Sequence, residues 1–219
     1  MRKIVFFVLF LTFAACQQRN CNKEILNEFT AIEIDYFHEV ALHREFINPE
    51  EFNLRFWTRD IRIKLKGEYT KDDSLEVIRI VEELNNLIDP IEIKIVSLMD
   101  NVEIKFIDGF EFINYGRYAL GGTGYVNVYW NRFFPHGYIL INKNINKIKR
   151  KHILREELTQ CLGLLNDSYI YPESIFYQRR SEVTEFSEMD KRLIQMLYNY
   201  NLPYSLSRKE FEKCYMNVE

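Results

Sequence analysis

The residues best placed to do chemistry lie in Arg155-Glu156-Glu157-Leu158-Thr159-Gln160-Cys161-Leu162-Gly163-Leu164-Leu165-Asn166-Asp167. Glu156 and Gln160 are four positions apart, so on an α-helix they stand one turn above each other and can reach one point in space. Glu157 sits one step round, in position to act as a general base on a water beside that point. Gly163 can take the left-handed conformation that ends a helix and reverses the chain, which would swing Asn166 back toward the same centre. These donors are a carboxylate and two neutral amide oxygens, a set that suits hard cations better than zinc. No cofactor is required by it, and a weakly held divalent cation is the one it would accept. The same side chains could instead hydrogen-bond one another and the turn after Gly163.

The helix carrying these groups spans Ile145 to Leu162, with its N-terminus expected nearer Lys149, because a first turn rich in Lys and Arg opposes the helix dipole. His152 is four residues before Glu156 and would be a ligand only if the site moved up one turn. Upstream, Ile61 to Lys66 alternates as a half-buried strand does. Asp72, Asp73 and Ser74 offer caps for a helix from Leu75 to Ile88, with a stripe of Leu75, Ile78, Val81, Leu84 and Ile88 facing the sheet. Beyond Pro90, Ile91 to Val96 and Val102 to Ile107 alternate again. Gly121-Gly122-Thr123-Gly124 lacks the Lys-Ser/Thr of a phosphate loop and is read as a flexible turn. Two further strands follow, around Val126 to Trp130 and Tyr138 to Ile141, with His136 in the turn between them. Leu26 to Phe46 carries helix-like apolar spacing, and its His38 and His43, five apart, are read as surface or packing residues. Strand, helix and strands in this order begin an α+β fold.

At the start, Arg2 and Lys3 precede the apolar run Ile4 to Phe13 and the small pair Ala14-Ala15 before Cys16. At about ten residues the run is too short to span a bilayer, which needs roughly twenty. Residues 1–15 therefore read as a signal peptide. Small residues directly before a cysteine resemble the bacterial lipoprotein lipobox, which implies lipidation of Cys16 and an envelope protein held to the bilayer by acyl chains. Residues 16–25 would be a polar tether, 26–50 a helical extension and 51–219 the main domain. With a formal net charge of −3 there is no basic excess to suggest nucleic acid. Cys21, Cys161 and Cys214 do not form a disulfide framework. Cys161 shares an apolar face with Leu154, Leu158 and Leu162, and a Cys161–Cys214 bridge is one open pairing.

With Glu156, Gln160 and Asn166 read as histidines, the central stretch becomes H-E-x-x-H-x-x-G-x-x-H, the metzincin zinc-protease signature. Leu162-Gly163-Leu164 looks like the matrixin A-L-G-L. Ser174-Ile175-Phe176-Tyr177 stands in the place of the Met-turn, with Phe176 for its methionine. Phe186-Ser187-Glu188-Met189-Asp190, followed by Ile194-Gln195-Met196-Leu197-Tyr198, is similar to a matrixin C-terminal motif, keeping Asp190. The pattern E-E-L-T-Q-x-L-G-L-x-N-D-S also resembles an uncharacterised bacterial family of metzincin-like proteins. The resemblance implies a twisted mixed sheet with a packing helix, a central active-site-type helix and a C-terminal helix. It puts Glu157 in the general-base position, Glu156, Gln160 and Asn166 in degenerate ligand positions, and Gly163, Phe176 and Asp190 in structural roles. Two functions follow from it: a lipid-anchored pseudoprotease that holds a peptide or protein in its cleft, or a noncanonical metallopeptidase.

Overall fold

Ile61, Ile63, Ile93, Val102, Ile104 and Phe106 alternate with polar or half-buried residues, and their burial on one face, with that of Ile139 and Ile141 either side of Leu140 on the other, assembles a five-stranded sheet. The computed structural model describes residues 21–43, 53–116, 119, 122–131, 133–179 and 181–216. The signal segment and Cys16 lie outside the described residues. The strands are β1 (Ile61–Gly67), β2 (Ile93–Ile95), β3 (Val102–Ile107), β4 (Gly124–Tyr129) and β5 (His136–Asn142), in the order β2-β1-β3-β5-β4. The first four strands of that order run parallel, and β4 closes one edge antiparallel to β5. A 3-10 helix, Gly109–Tyr115, helps cover the outer face, where Phe112, Ala119 and Leu140 form a small second core.

Helices α1 (Lys23–Glu28), α2 (Ala31–Ala41), α3 (Lys71–Asn85), α4 (Lys147–Cys161), α5 (Glu188–Asn199) and α6 (Arg208–Tyr215) complete the α+β architecture. The expected stripe on α3 is corrected. Leu75 and Ile78 are exposed, at 51% and 41%, whereas Asp73, Glu76, Val77, Ile80, Val81 and Leu84 are buried. The cap is Thr70, whose Oγ1 accepts from Asp73 N while Asp73 Oδ2 accepts from Thr70 N. The reason for the rotated face is α4, which brings Arg150 to Asp73 at 2.7 Å, Lys151 to Glu76 at 3.0 Å and Arg155 to Glu83 at 2.5 Å. Those acids also offset the basic first turn of α4, which begins at Lys147, earlier than its dipole alone would favour, with Asn146 Oδ1 accepting from Lys149 N. Every residue of α4 from His152 to Cys161 is buried.

The N-terminal segment is part of the main core rather than an appendage. Its helix breaks in two because Thr30 caps α2 in a reciprocal pair with Glu33. Tyr36 donates to Ser174 Oγ at 2.9 Å, and the Phe37 ring stacks on Phe211 with centroids 5.5 Å apart. His38 is buried against Glu212 at 2.9 Å, and the His43 ring meets its edge, so both are packing residues. The tether is held from Cys21 onward: Cys21 is disulfide-bonded to Cys214, and Asn22 Nδ2 donates to Tyr200 O at 2.7 Å. The pairing of Cys161 with Cys214 is thus corrected. Cys161 faces the inside of α4 as a buried free thiol, pushed up to about 12 by burial first and by Glu157 second.

Candidate functional site

Four carboxyl and amide side chains meet at the C-terminal half of α4. Glu156, Glu157 and Gln160 project from consecutive turns and are each under one-tenth exposed. The helix ends at Leu162, and Gly163 turns the chain with φ +127°. A Cβ at Gly163 would lie 2.1 Å from Arg55 O, so both the backbone angle and the close approach require glycine. Trp57 Nε1 donates to Cys161 O at 2.7 Å and the Tyr198 hydroxyl to Leu162 O at 2.9 Å, satisfying the last carbonyls of the helix.

The reversal after Gly163 occurs as its position implied, but the side chain it returns to the helix is that of Asp167. Gln160 Nε2 donates to Asp167 Oδ1 at 2.7 Å. Asn166 points elsewhere: its Nδ2 donates to Glu39 O at 3.2 Å and Asp167 O at 2.8 Å, and its backbone N to Val40 O at 3.0 Å. Glu39 and Val40 lie in the last turn of α2, whose carbonyls lack helical partners, and Asn166 supplies donors there. Only the neighbouring N-D pair in the sequence hinted that position 167 could take the inward place.

Electrostatics set the protonation of the cluster. Burial raises the Glu157 carboxyl well above the ordinary carboxylate range, and the charges of Glu156 and Asp167 raise it further. Burial and Asp167 do the same to Glu156, against a smaller opposing effect of Lys149. His152 is lowered, mainly by burial. Its Nδ1 lies 2.8 Å from Val183 O, which can only accept, so the ring proton sits on Nδ1 and Nε2 faces Glu156 Oε2 at 3.7 Å. Glu157 Oε2 is buried without a hydrogen-bond partner. Its other oxygen faces Gly124 of β4, where an added Cβ would come within 2.4 Å of Oε1 and 2.3 Å of Ile153 Cγ2. Gly124 is therefore the residue that lets the edge strand lie directly on Glu157. It closes Gly-Gly-Thr-Gly just before an alternating run, which was the available sequence signal for a packed glycine rather than a free turn.

Beside the chain that follows Asp167, Ser174, Ile175 and Phe176 are fully buried. Asp190 anchors them: its carboxylate accepts from Ser174 Oγ at 2.6 Å, Ile175 N at 3.2 Å and Ser187 N at 2.9 Å. Ser168 N donates to Phe176 O at 2.7 Å, tying the strand after Asp167 to this turn. His136 is remote from the cluster, exposed at the start of β5 and stacked on Tyr129 with centroids 4.9 Å apart.

Zinc, which the resemblance implies, does not fit this donor set. Asn166 is turned to the carbonyls of Glu39 and Asp167, the Gln160 amide oxygen is a weak neutral donor, and no imidazole joins the three carboxyls at bonding range, His152 Nε2 lying 3.7 Å from Glu156 Oε2. Among the described residues no group of three or more His, Cys, Asp or Glu is arranged to hold a metal ion. Burial and the two neighbouring acids thus favour the neutral form of Glu157, the form that can donate a proton but cannot take one from water.

The family described as "Protein of unknown function (DUF2927)" matches residues 126–215, from β4 through the cluster to the end of α6. No curated protein matches the chain. Two solved structures of myroilysin are similar to it. One, at 12% identity, covers 74% of this chain and 92% of that one with a TM-score of 0.49; the other, also at 12%, covers 68% and 97% with a TM-score of 0.44.

Proposed function

We propose that the chain is an exported, lipid-anchored pseudoprotease: a metzincin-like domain that binds an extended peptide or protein segment along the free edge of β4 without cleaving it. The observation that carries this reading is Glu157, enclosed beneath Gly124 with its neutral form favoured by burial and by two neighbouring acids. A hydrolase needs that carboxylate ionised and in contact with water. What remains is an edge strand whose outer side pairs with no other strand among the described residues, a ready partner for strand addition. The Cys21–Cys214 disulfide suits an oxidising compartment, in keeping with export and acylation at Cys16. No helix among the described residues is long and apolar enough to cross a membrane.

The test pans a random extended-peptide library against the purified Cys16→Ser chain. Bound peptides should be recovered intact, and N-methylation of alternate backbone amides should abolish binding. Peptides recovered cut, with cleavage falling at least about a hundredfold in Glu157→Gln, would overturn the proposal and establish the metallopeptidase reading. Anchoring is read separately, as a diacylglyceryl adduct in the mass of the Cys16 peptide. An unmodified Cys16 in membranes of the producing bacterium would sink it.

A further inference from the structure

One end of the sheet carries an apolar rim that the fold does not use. Leu98 and Met99, just before β3, are 73% and 83% exposed, and Phe133 and Phe134, in the β4–β5 turn, are 63% and 76% exposed. The two turns are neighbours, because Gly137 N donates to Asn101 O at 2.9 Å and Val102 pairs with Gly137. Large apolar side chains clustered on protruding turns are costly in water unless something covers them.

The position of the chain's entry point indicates what that something is. Phe133 lines one cleft with Thr58, Arg59, Tyr204 and Ser205. Tyr204 follows Tyr200 by four residues, and Tyr200 O accepts from Asn22, the residue next to Cys21. The residue that Asn22 bonds is therefore at most about 14 Å of chain from this cleft. Only four residues lie between Cys16 and Cys21, and the five steps from one to the other reach at most about 18 Å. A bilayer holding acyl chains at Cys16 would lie within that reach of Cys21, which leaves the rim able to meet it. Exposed Arg59, on the same cleft, suits the anionic headgroups of such a surface.

We propose that this rim is a membrane-contact surface, with Leu98, Met99, Phe133 and Phe134 entering the boundary between headgroups and acyl chains. The choice of a bilayer over a protein partner rests on the lipid-anchor reading above. The short tether keeps the rim at high effective concentration near the membrane, so modest insertion suffices to orient the domain. Once engaged, the domain presents the β4 edge at a fixed height and angle.

The experiment uses the full chain as Cys16→Ser, which has no acyl chains, with vesicles of phosphatidylethanolamine and phosphatidylglycerol. The parent should float with the vesicles, and Phe133→Ser with Phe134→Ser should lower the bound fraction at least about tenfold. Phe110→Ser should leave it unchanged, since Phe110 is equally exposed at 77% but follows the other end of β3. A parent that stays unbound, or an equal loss in the Phe110 variant, overturns the proposal; the first result is what a rim made for a protein partner would give. Because the acyl adduct on Cys16 is read independently by mass, loss of the anchor reading and loss of the rim are separate outcomes.

Discussion

Burial and the charges of Glu156 and Asp167 raise the Glu157 carboxyl, and this gives its contribution to stability a definite sign with pH. In the unfolded chain its carboxyl ionises near an ordinary pKa of about 4.3, whereas in the folded chain the pKa is raised. The destabilisation is therefore absent below that pH and grows by about 1.4 kcal/mol per unit above it, until the folded pKa is passed. Glu157→Gln should accordingly melt above the parent at pH 8, with the gap closing toward pH 4, as scanning calorimetry at both pH values would record. Parallel melting curves would show that the carboxylate is ionised in the fold. A second outcome concerns the residue after Asn166. Replacing Glu156, Gln160 and Asp167 together by histidine should create a zinc site with bonds of about 2.0–2.1 Å, whereas pairing the same two helix changes with Asn166→His should bind at least about tenfold more weakly. Competition with a chromogenic chelator separates the two. The helix pair and the glycine turn were legible in the sequence because both follow from local geometry. The inward residue was not, since it is decided by carbonyls of α2, more than a hundred positions upstream.

At the scale of elements, α4 and its surroundings show which physical signals a sequence carries. Strand positions and the extent of α4 followed from period, because each strand buries one face and α4 is long. The buried face of α3 did not, since apolar spacing alone pointed to Leu75 and Ile78, while the actual face is chosen by Arg150, Lys151 and Arg155 of α4. Arg155 itself is fully buried, bonded to Glu83 and lying over the Phe186 ring at 4.3 Å. Nothing in its own neighbourhood of the sequence distinguishes it from an exposed arginine. The turn at 174–176 depends on Asp190 in the same non-local way, through three hydrogen bonds from two segments. Asp190→Ala should cost about 2–4 kcal/mol, because it leaves Ser174 and two backbone amides without a buried acceptor. Urea denaturation would measure it, and a loss under 1 kcal/mol would mean that packing of Ile175 and Phe176 holds the turn without Asp190.

For the whole molecule, the disulfide joins the first described residue to the last helix, across 193 positions. Cys21→Ser with Cys214→Ser should lower stability by about 2–4 kcal/mol, chiefly by releasing the unfolded chain from a very long loop. The melting temperature of the double variant against the oxidised parent tests this, and a matching fall on adding reductant to the parent would assign the effect to the bond. The same bond governs how the domain bears mechanical load. Under the lipid-anchored reading proposed above, the domain would be pulled at its N-terminus whenever a bound segment or the membrane moved. Without the bond, tension would peel α1 and α2 away one turn at a time, opening the Tyr36 contact with Ser174 and the Asn166 contacts with the end of α2. With it, force arriving at Cys21 divides between α1 and α6, so the two must be dragged off the core together. The covalent link would thus shield the N-terminal helices, and the site they support, from traction on such an anchor.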